Sequence, residues 1–126
     1  MKILTGVDLV NNLKIKKIID KKSPVINEIF SEKEIEYCMK KKNYENSFGI
    51  RFAVKEAIIK ATDSDILEYE LNKIETINTE SGKPEVKINI ERLNNKIKKL
   101  LGKDNFTITI SASHEDNYSI ATVLIY

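Results

Sequence analysis

Two carboxylates and three cations stand out by type and spacing. Asp8 lies in "GVDLV", where Val7, Leu9 and Val10 are all apolar. A carboxylate buried in such company gains a proton, a partner or a metal. The plainer reading is that Asp8 caps a helix starting near Asn11 or sits at an exposed strand end. The stretch "RFAVKEAIIKA", residues 51 to 61, scatters Arg51, Lys55, Glu56 and Lys60 among apolar residues that occupy nearly every side of a helix. A surface helix would confine its apolar residues to one stripe. Glu56 and Lys60 are four apart, the spacing of an ordinary helical ion pair worth about 0.2–0.5 kcal/mol. Arg51 and Lys55 are also four apart, and their like charges repel unless an anion sits against them. One chemistry uses all five groups. Magnesium takes a few carboxylates together with phosphate oxygens and waters, so Asp8 and Glu56 can supply the carboxylates while Arg51, Lys55 and Lys60 neutralise phosphates. That is phosphoryl-type transfer from a diphosphate, where positioning and charge neutralisation do most of the work. No G-x-x-x-x-G-K-S/T occurs, so a P-loop is excluded.

Other candidates have bland readings beside them. Ser113 and His114 tempt as nucleophile and base, but neighbours in a strand point to opposite faces. Ser81-Gly82-Lys83-Pro84 has the composition of a turn. Cys38, the single cysteine, reads as a packed thiol on an amphipathic helix.

The elements that must hold these residues can be read in order. "KILTGVDLV" is a strand by its β-forming content. "NNLKIKKIIDKK" is a helix, with Ile15, Ile18 and Ile19 inward and lysines outward, broken at Ser23-Pro24. "PVINEIF" is a short helix or turn. Ser31 and Glu34 make an S-x-x-E capping box for "EKEIEYCMKKK", whose final lysines suit the negative pole of a helix. "NYENS" reads as a loop and Phe48 to Thr62 as the central helix. "KIETINTESGKPEVKINI" alternates around its turn and reads as a hairpin. "ERLNNKIKKLL" is an amphipathic helix ended by Gly102. "FTITISAS" and "YSIATVLIY" form a second hairpin across "HEDN". The class is α+β.

Composition narrows the function classes. At 126 residues the chain is one domain by size, 1–126. A formal net charge of +2, with 32% charged residues, is too balanced for a general nucleic-acid binder. The charge is uneven, however. Residues 1 to 22 hold six lysines against two aspartates, a local basic patch that implies an acidic partner. One cysteine and one histidine exclude a zinc site of the Cys/His type and favour a reducing compartment. No signal-like apolar region or membrane span is read, so the expected location is the cytoplasm.

Three segments together carry a resemblance. "GVDLV", "RFAVKEAIIKA" and "SASHEDNYSIATVLI", with the Gly-Lys-Pro turn between the last two, resemble the holo-acyl-carrier-protein synthases of the phosphopantetheinyl transferase superfamily. The resemblance spans the whole chain. F-x-x-K-E-A-x-x-K-A at Phe52 to Ala61, with G-x-D upstream at Gly6 to Asp8, is its specific part. It implies that family's fold, an antiparallel sheet with packed helices. It implies transfer of phosphopantetheine from coenzyme A to a serine of apo acyl carrier protein, releasing adenosine 3′,5′-bisphosphate, in fatty acid biosynthesis. Asp8 and Glu56 would hold Mg²⁺, and Lys60 would contact the diphosphate. Glu56 or a metal-bound water would take the serine proton. Arg51 and His114 resemble positions near the 3′-phosphate, and Gly82, Lys83 and Pro84 a turn near the nucleotide. Short members of the family are trimers, which implies a homotrimer. Lys14, Lys17 and Lys21 on the first helix are the expected docking face for the acidic carrier, and neither nucleic acid nor membrane is an expected partner. The chain departs from the family at Asp63, where Gly is usual, at Lys14, where Arg is common, and at Asn11, where an acidic residue is common. The competing readings are a non-catalytic basic module that binds RNA or an acidic protein, and an inactive relative.

Overall fold

A computed structural model describes residues 2–126. Strand β1 (Leu4–Asn11) leads into helix α1 (Asn12–Asp20), then α2 (Val25–Ile29), α3 (Glu32–Met39) and the long α4 (Tyr44–Thr62). A 3₁₀ segment, Glu68–Lys73, precedes the hairpin of β2 (Ile74–Asn78) and β3 (Pro84–Ile88). Helix α5 (Glu91–Leu101) and the hairpin of β4 (Ile108–Glu115) and β5 (Tyr118–Ile125) complete the chain. β1, β5 and β4 form an antiparallel sheet in that order, and β2–β3 form a second antiparallel pair. The class is α+β, as the pattern implied.

Alternation along β1 and β5 decides which way the sheet faces. Gly6 and Val10 on β1, and Ser119, Ala121, Val123 and Ile125 on β5, are buried against α4. Val7, Leu9, Tyr118, Ile120 and Leu124 point the other way and are exposed, Leu9 at 63%. The register pairs Leu9 with Ile120 and Asp8 with Ala121. Asp8 therefore belongs to the packed face and does not cap a helix. The cap of α1 is Asn11, whose side chain accepts the Leu13 amide.

Helix α4 is the hub. Ala53, Val54, Ala57 and Ile58 are fully buried, because the helix packs on β1, β5, α1 and α3 at once. It also starts earlier than its sequence implies. Asn and Ser compete with helical hydrogen bonds and mark "NYENS" as a loop, yet Tyr44 to Ser47 are helical. Packing overrides propensity here. Tyr44 donates its hydroxyl to Asp20 at 2.5 Å, and Asn46 accepts the amide of buried Asn12 at 3.0 Å, both from α1. The other end of α4 stops at Asp63, which takes the left-handed conformation (φ 48, ψ 49). Its N–H caps the carbonyls of Ile59 and Lys60, and Lys96 of α5 donates to its carbonyl. The backbone shape a glycine would adopt is thus kept with Asp, at a cost of about 1 kcal/mol.

The capping box at Ser31 and Glu34 is present in both directions. Gly102 ends α5 in the left-handed region. The second hairpin turns more tightly than "HEDN" implies, since His114 and Glu115 still pair with Ser119 and Tyr118.

Candidate active site

The first site residues meet because β1 lies almost on the backbone of α4. A Cβ built on Gly6 would stand 2.0 Å from the Ala57 carbonyl oxygen and 3.0 Å from the Ala61 nitrogen. Only glycine permits that approach. Asp8, two residues along on the same face, is carried to the C-terminal half of α4. There Lys60 donates to Asp8 Oδ1 at 2.8 Å across 52 positions of sequence. Lys60 thus pairs with Asp8, so the simple i, i+4 reading of Glu56 and Lys60 is superseded. The contact holds the Lys60 ammonium above its usual range, first through the hydrogen bond and then through the charge of Asp8.

Glu56 is half-buried beside them. Burial, then the neighbouring Asp8 carboxylate, push its pKa up, and Lys60 partly offsets this. Two carboxylates this close, with a lysine at the rim, are a donor set that fits a hard divalent cation. Among the described residues no group of three or more His, Cys, Asp and Glu side chains is gathered for a metal. Magnesium fits this pair, because it is commonly held by one or two carboxylates and completes its shell with phosphate oxygens and water. Behind Glu56 lies an apolar hollow of about 380 Å³, walled by Ile15, Ile18, Val25, Phe52 and Leu71 among others.

A larger cleft of about 700 Å³ opens beside the N-terminal half of α4. Arg51, His114, Gly82 and Pro84 all line it, so α4, the β2–β3 hairpin and β4 each contribute to one cleft. Arg51 is nearly buried, its guanidinium 4.4 Å from the centre of the Tyr37 ring and its Nη1 donating to Ser47 Oγ at 3.2 Å. Lys41 lies 4.6 Å from the same ring centre. Tyr37, Lys41, Lys42 and Thr76 also line the cleft and were missed from sequence. The lysines of "YCMKKK" read equally well as complements to the helix pole. Lys83 does not line this cleft but a separate hollow, with Phe106 and Tyr126.

Lys55 corrects the expectation of a phosphate-binding stripe. It is completely buried on the side of α4 facing α3 and β2, and donates to Glu34 Oε1 at 2.7 Å, to the Leu71 carbonyl at 3.0 Å and to the Ile74 carbonyl. It neutralises a buried carboxylate, and no phosphate can reach it. Ser113 and His114 lie on opposite faces of β4, opposite Ile120 and Ser119 respectively, so no serine–histidine couple forms. Cys38 is buried, its thiol pushed up chiefly by that burial.

The fold and the paired carboxylates define a class that comparison identifies directly. Residues 5–123 match the family model of the 4′-phosphopantetheinyl transferase superfamily, and the chain belongs to that superfamily. Within it, the chain is 39% identical to a holo-acyl-carrier-protein synthase of Clostridium botulinum (strain Alaska E43 / Type E3) over 120 residues, covering 95% of this chain and 94% of that relative. Among solved structures, the ACPS–CoA complex from Chronobacterium ammoniagenes superposes with a TM-score of 0.80 at 20% identity, covering 99% of this chain and 97% of that one. A Bacillus anthracis holo-acyl-carrier-protein synthase in complex with CoA (3′,5′-ADP) superposes with a TM-score of 0.73 at 25% identity, covering 97% and 94%.

Proposed function

We propose that the chain, as one domain over 1–126, transfers 4′-phosphopantetheine from coenzyme A to a serine of apo acyl carrier protein in the cytoplasm, supporting fatty acid biosynthesis. The observation that carries this reading is the meeting of Asp8, Glu56 and Lys60 at one rim of α4, with the basic cleft of Arg51 and His114 along the same helix. Relatives named for this activity and structures holding coenzyme A support it.

In this reading the adenosine 3′,5′-bisphosphate half lies in the cleft, its 3′-phosphate toward Arg51 and His114. Mg²⁺ held by Asp8 and Glu56 would neutralise the diphosphate. The carrier serine oxygen attacks the phosphorus that bears pantetheine. Its bond to the bridging oxygen breaks, and adenosine 3′,5′-bisphosphate leaves with the electron pair. Lys60, exposed at the rim, neutralises the departing phosphate. The serine proton passes to Glu56, directly or through a water. The test is incubation with coenzyme A and apo carrier, following the carrier's mass and the released nucleotide with and without Mg²⁺. Modified carrier only with the metal is expected. An unmodified carrier, with coenzyme A still bound, would leave an inactive relative.

The carrier docks on α1 in this reading. Lys14, Lys17 and Lys21 are exposed there, whereas Ile15 is buried and the apolar hollow at Glu56 opens beside them. Exposed lysines act collectively and mainly on association. Reversing Lys14 and Lys17 to Glu should therefore raise the KM for carrier and flatten its salt dependence, with the KM for coenzyme A nearly unchanged. An unchanged carrier KM would move docking elsewhere.

The assembly is a homotrimer in this reading. Val7, Leu9, Tyr118, Ile120 and Leu124 present an apolar sheet face too continuous for a solvated surface. Light scattering should give about three monomer masses, and Leu9→Glu with Ile120→Glu should reduce it toward one. A wild-type chain that stays monomeric and active at micromolar concentration would contradict this.

A further inference from the structure

Glu34 and Lys55 make the one ion pair among the described residues with both side chains fully buried. The mechanism above uses neither. Lys55 donates to Glu34 and to the carbonyls of Leu71 and Ile74, so its ammonium is completely satisfied. Glu34 accepts from Ser31 N at 3.0 Å through Oε1 and from Thr76 N at 3.2 Å through Oε2. Five hydrogen bonds thus tie together the start of α3, the middle of α4, the 3₁₀ segment and β2.

Such a pair adds little stability that a well-packed apolar pair could not, because desolvation of both charges offsets their attraction. What it adds is direction. An apolar contact tolerates sliding, whereas an ammonium with three fixed acceptors does not. The direction matters at this place. Arg51, one turn before Lys55 on α4, forms one wall of the large cleft, and Thr76, Gly82 and Pro84 of the β2–β3 hairpin form the facing wall. Among the described residues the pair joins these two walls through Thr76 N and the carbonyls of Leu71 and Ile74, and Ser31 adds a bond from the start of α3 to the Glu75 carboxylate of β2.

We propose that Glu34 and Lys55 are positioning residues that set the hairpin against α4, and so fix the width of the cleft and its affinity for the adenosine bisphosphate half of coenzyme A. The inference rests on the function proposed above. It places specificity for the nucleotide in two residues that never touch it.

The test uses Glu34→Gln, Lys55→Met and the apolar pair Glu34→Leu/Lys55→Met in the full chain. Melting temperature, calorimetric affinity for adenosine 3′,5′-bisphosphate, and the KM values for coenzyme A and carrier are measured for each. The single variants are expected to lose both stability and affinity. The paired variant should melt near the wild type yet bind nucleotide about tenfold more weakly, with the KM for coenzyme A raised in step and the carrier KM within about twofold. A paired variant that regains both stability and affinity would show that the pair only stabilises, and would overturn the inference. If the paired variant does not fold, Glu34→Gln decides: unchanged nucleotide affinity in that folded, near-isosteric variant overturns the inference equally. A wild-type chain that neither binds the nucleotide nor modifies carrier would instead remove the function proposed above, and this inference with it.

Discussion

Asp8→Ala and Glu56→Gln should each lower kcat for phosphopantetheine transfer by at least about 10²-fold, the scale of losing a group that stabilises transition-state charge. Folding should hardly suffer. The Asp8–Lys60 contact has a lysine more than half exposed, and pairs of that kind contribute little to stability. Glu56→Gln should melt at or above the wild type when divalent cation is absent. The sign follows from linkage. Burial and Asp8 raise the folded-state pKa of Glu56, so the folded chain holds that proton more tightly than the unfolded one. Above both pKa values the ionised carboxylate therefore counts against folding, and the neutral amide removes that penalty. Activity lost while stability holds or rises is the mark of a carboxylate kept for chemistry. The double variant should add little to either single one, because residues that act as a unit are not additive. Full transfer activity in either single variant at ordinary Mg²⁺ would sink the assignment of Asp8 and Glu56 to the metal.

The same residues show how far the sequence could be read. G-x-D and K-E-A-x-x-K are local patterns, and each announced that its carboxylate was out of place in an apolar setting. Their meeting is not local. It depends on the absence of a side chain at Gly6, which sequence registers only as a small residue in a strand. Lys55 is the clearest failure. On a helix wheel it shares a stripe with Arg51, and nothing local distinguishes a lysine facing a ligand from one facing a buried glutamate 21 positions earlier. Glu34 itself was read correctly as half of a capping box, which leaves its second oxygen and its charge unaccounted for. The cleft was half legible. Arg51, His114, Gly82 and Pro84 came from the resemblance, whereas Thr76 reaches it only because β2 runs antiparallel to β3 beside α4. Tyr44 to Ser47 and the 3₁₀ segment at Glu68–Lys73 form through tertiary contact, for which propensity carries no signal.

Gly6→Ala tests whether the close approach of β1 to α4 makes the site. The new methyl would meet the Ala57 carbonyl oxygen at 2.0 Å, the Ala57 carbonyl carbon at 3.0 Å and the Ala61 nitrogen at 3.0 Å. All three are backbone atoms, so no rotamer change relieves the contact, and strand and helix must separate. Overpacking of this kind costs roughly 1–3 kcal/mol, and a melting temperature lowered by about 5–15 °C is expected. The separation also carries Asp8 away from Lys60 and Glu56, since Asp8 sits two residues along the same strand face. A displacement of about 1 Å is enough to cost about 10²-fold in rate. The control is Gly102→Ala at the end of α5, where φ is +70° and no atom lies within 4 Å of the built Cβ. That change strains the backbone by about 1 kcal/mol without moving either carboxylate. Both variants should therefore melt lower, but only Gly6→Ala should lose transfer activity per folded molecule, measured well below its melting temperature. Equal loss in the two variants would mean that activity follows stability alone, and that the glycine at position 6 does not hold Asp8 in place.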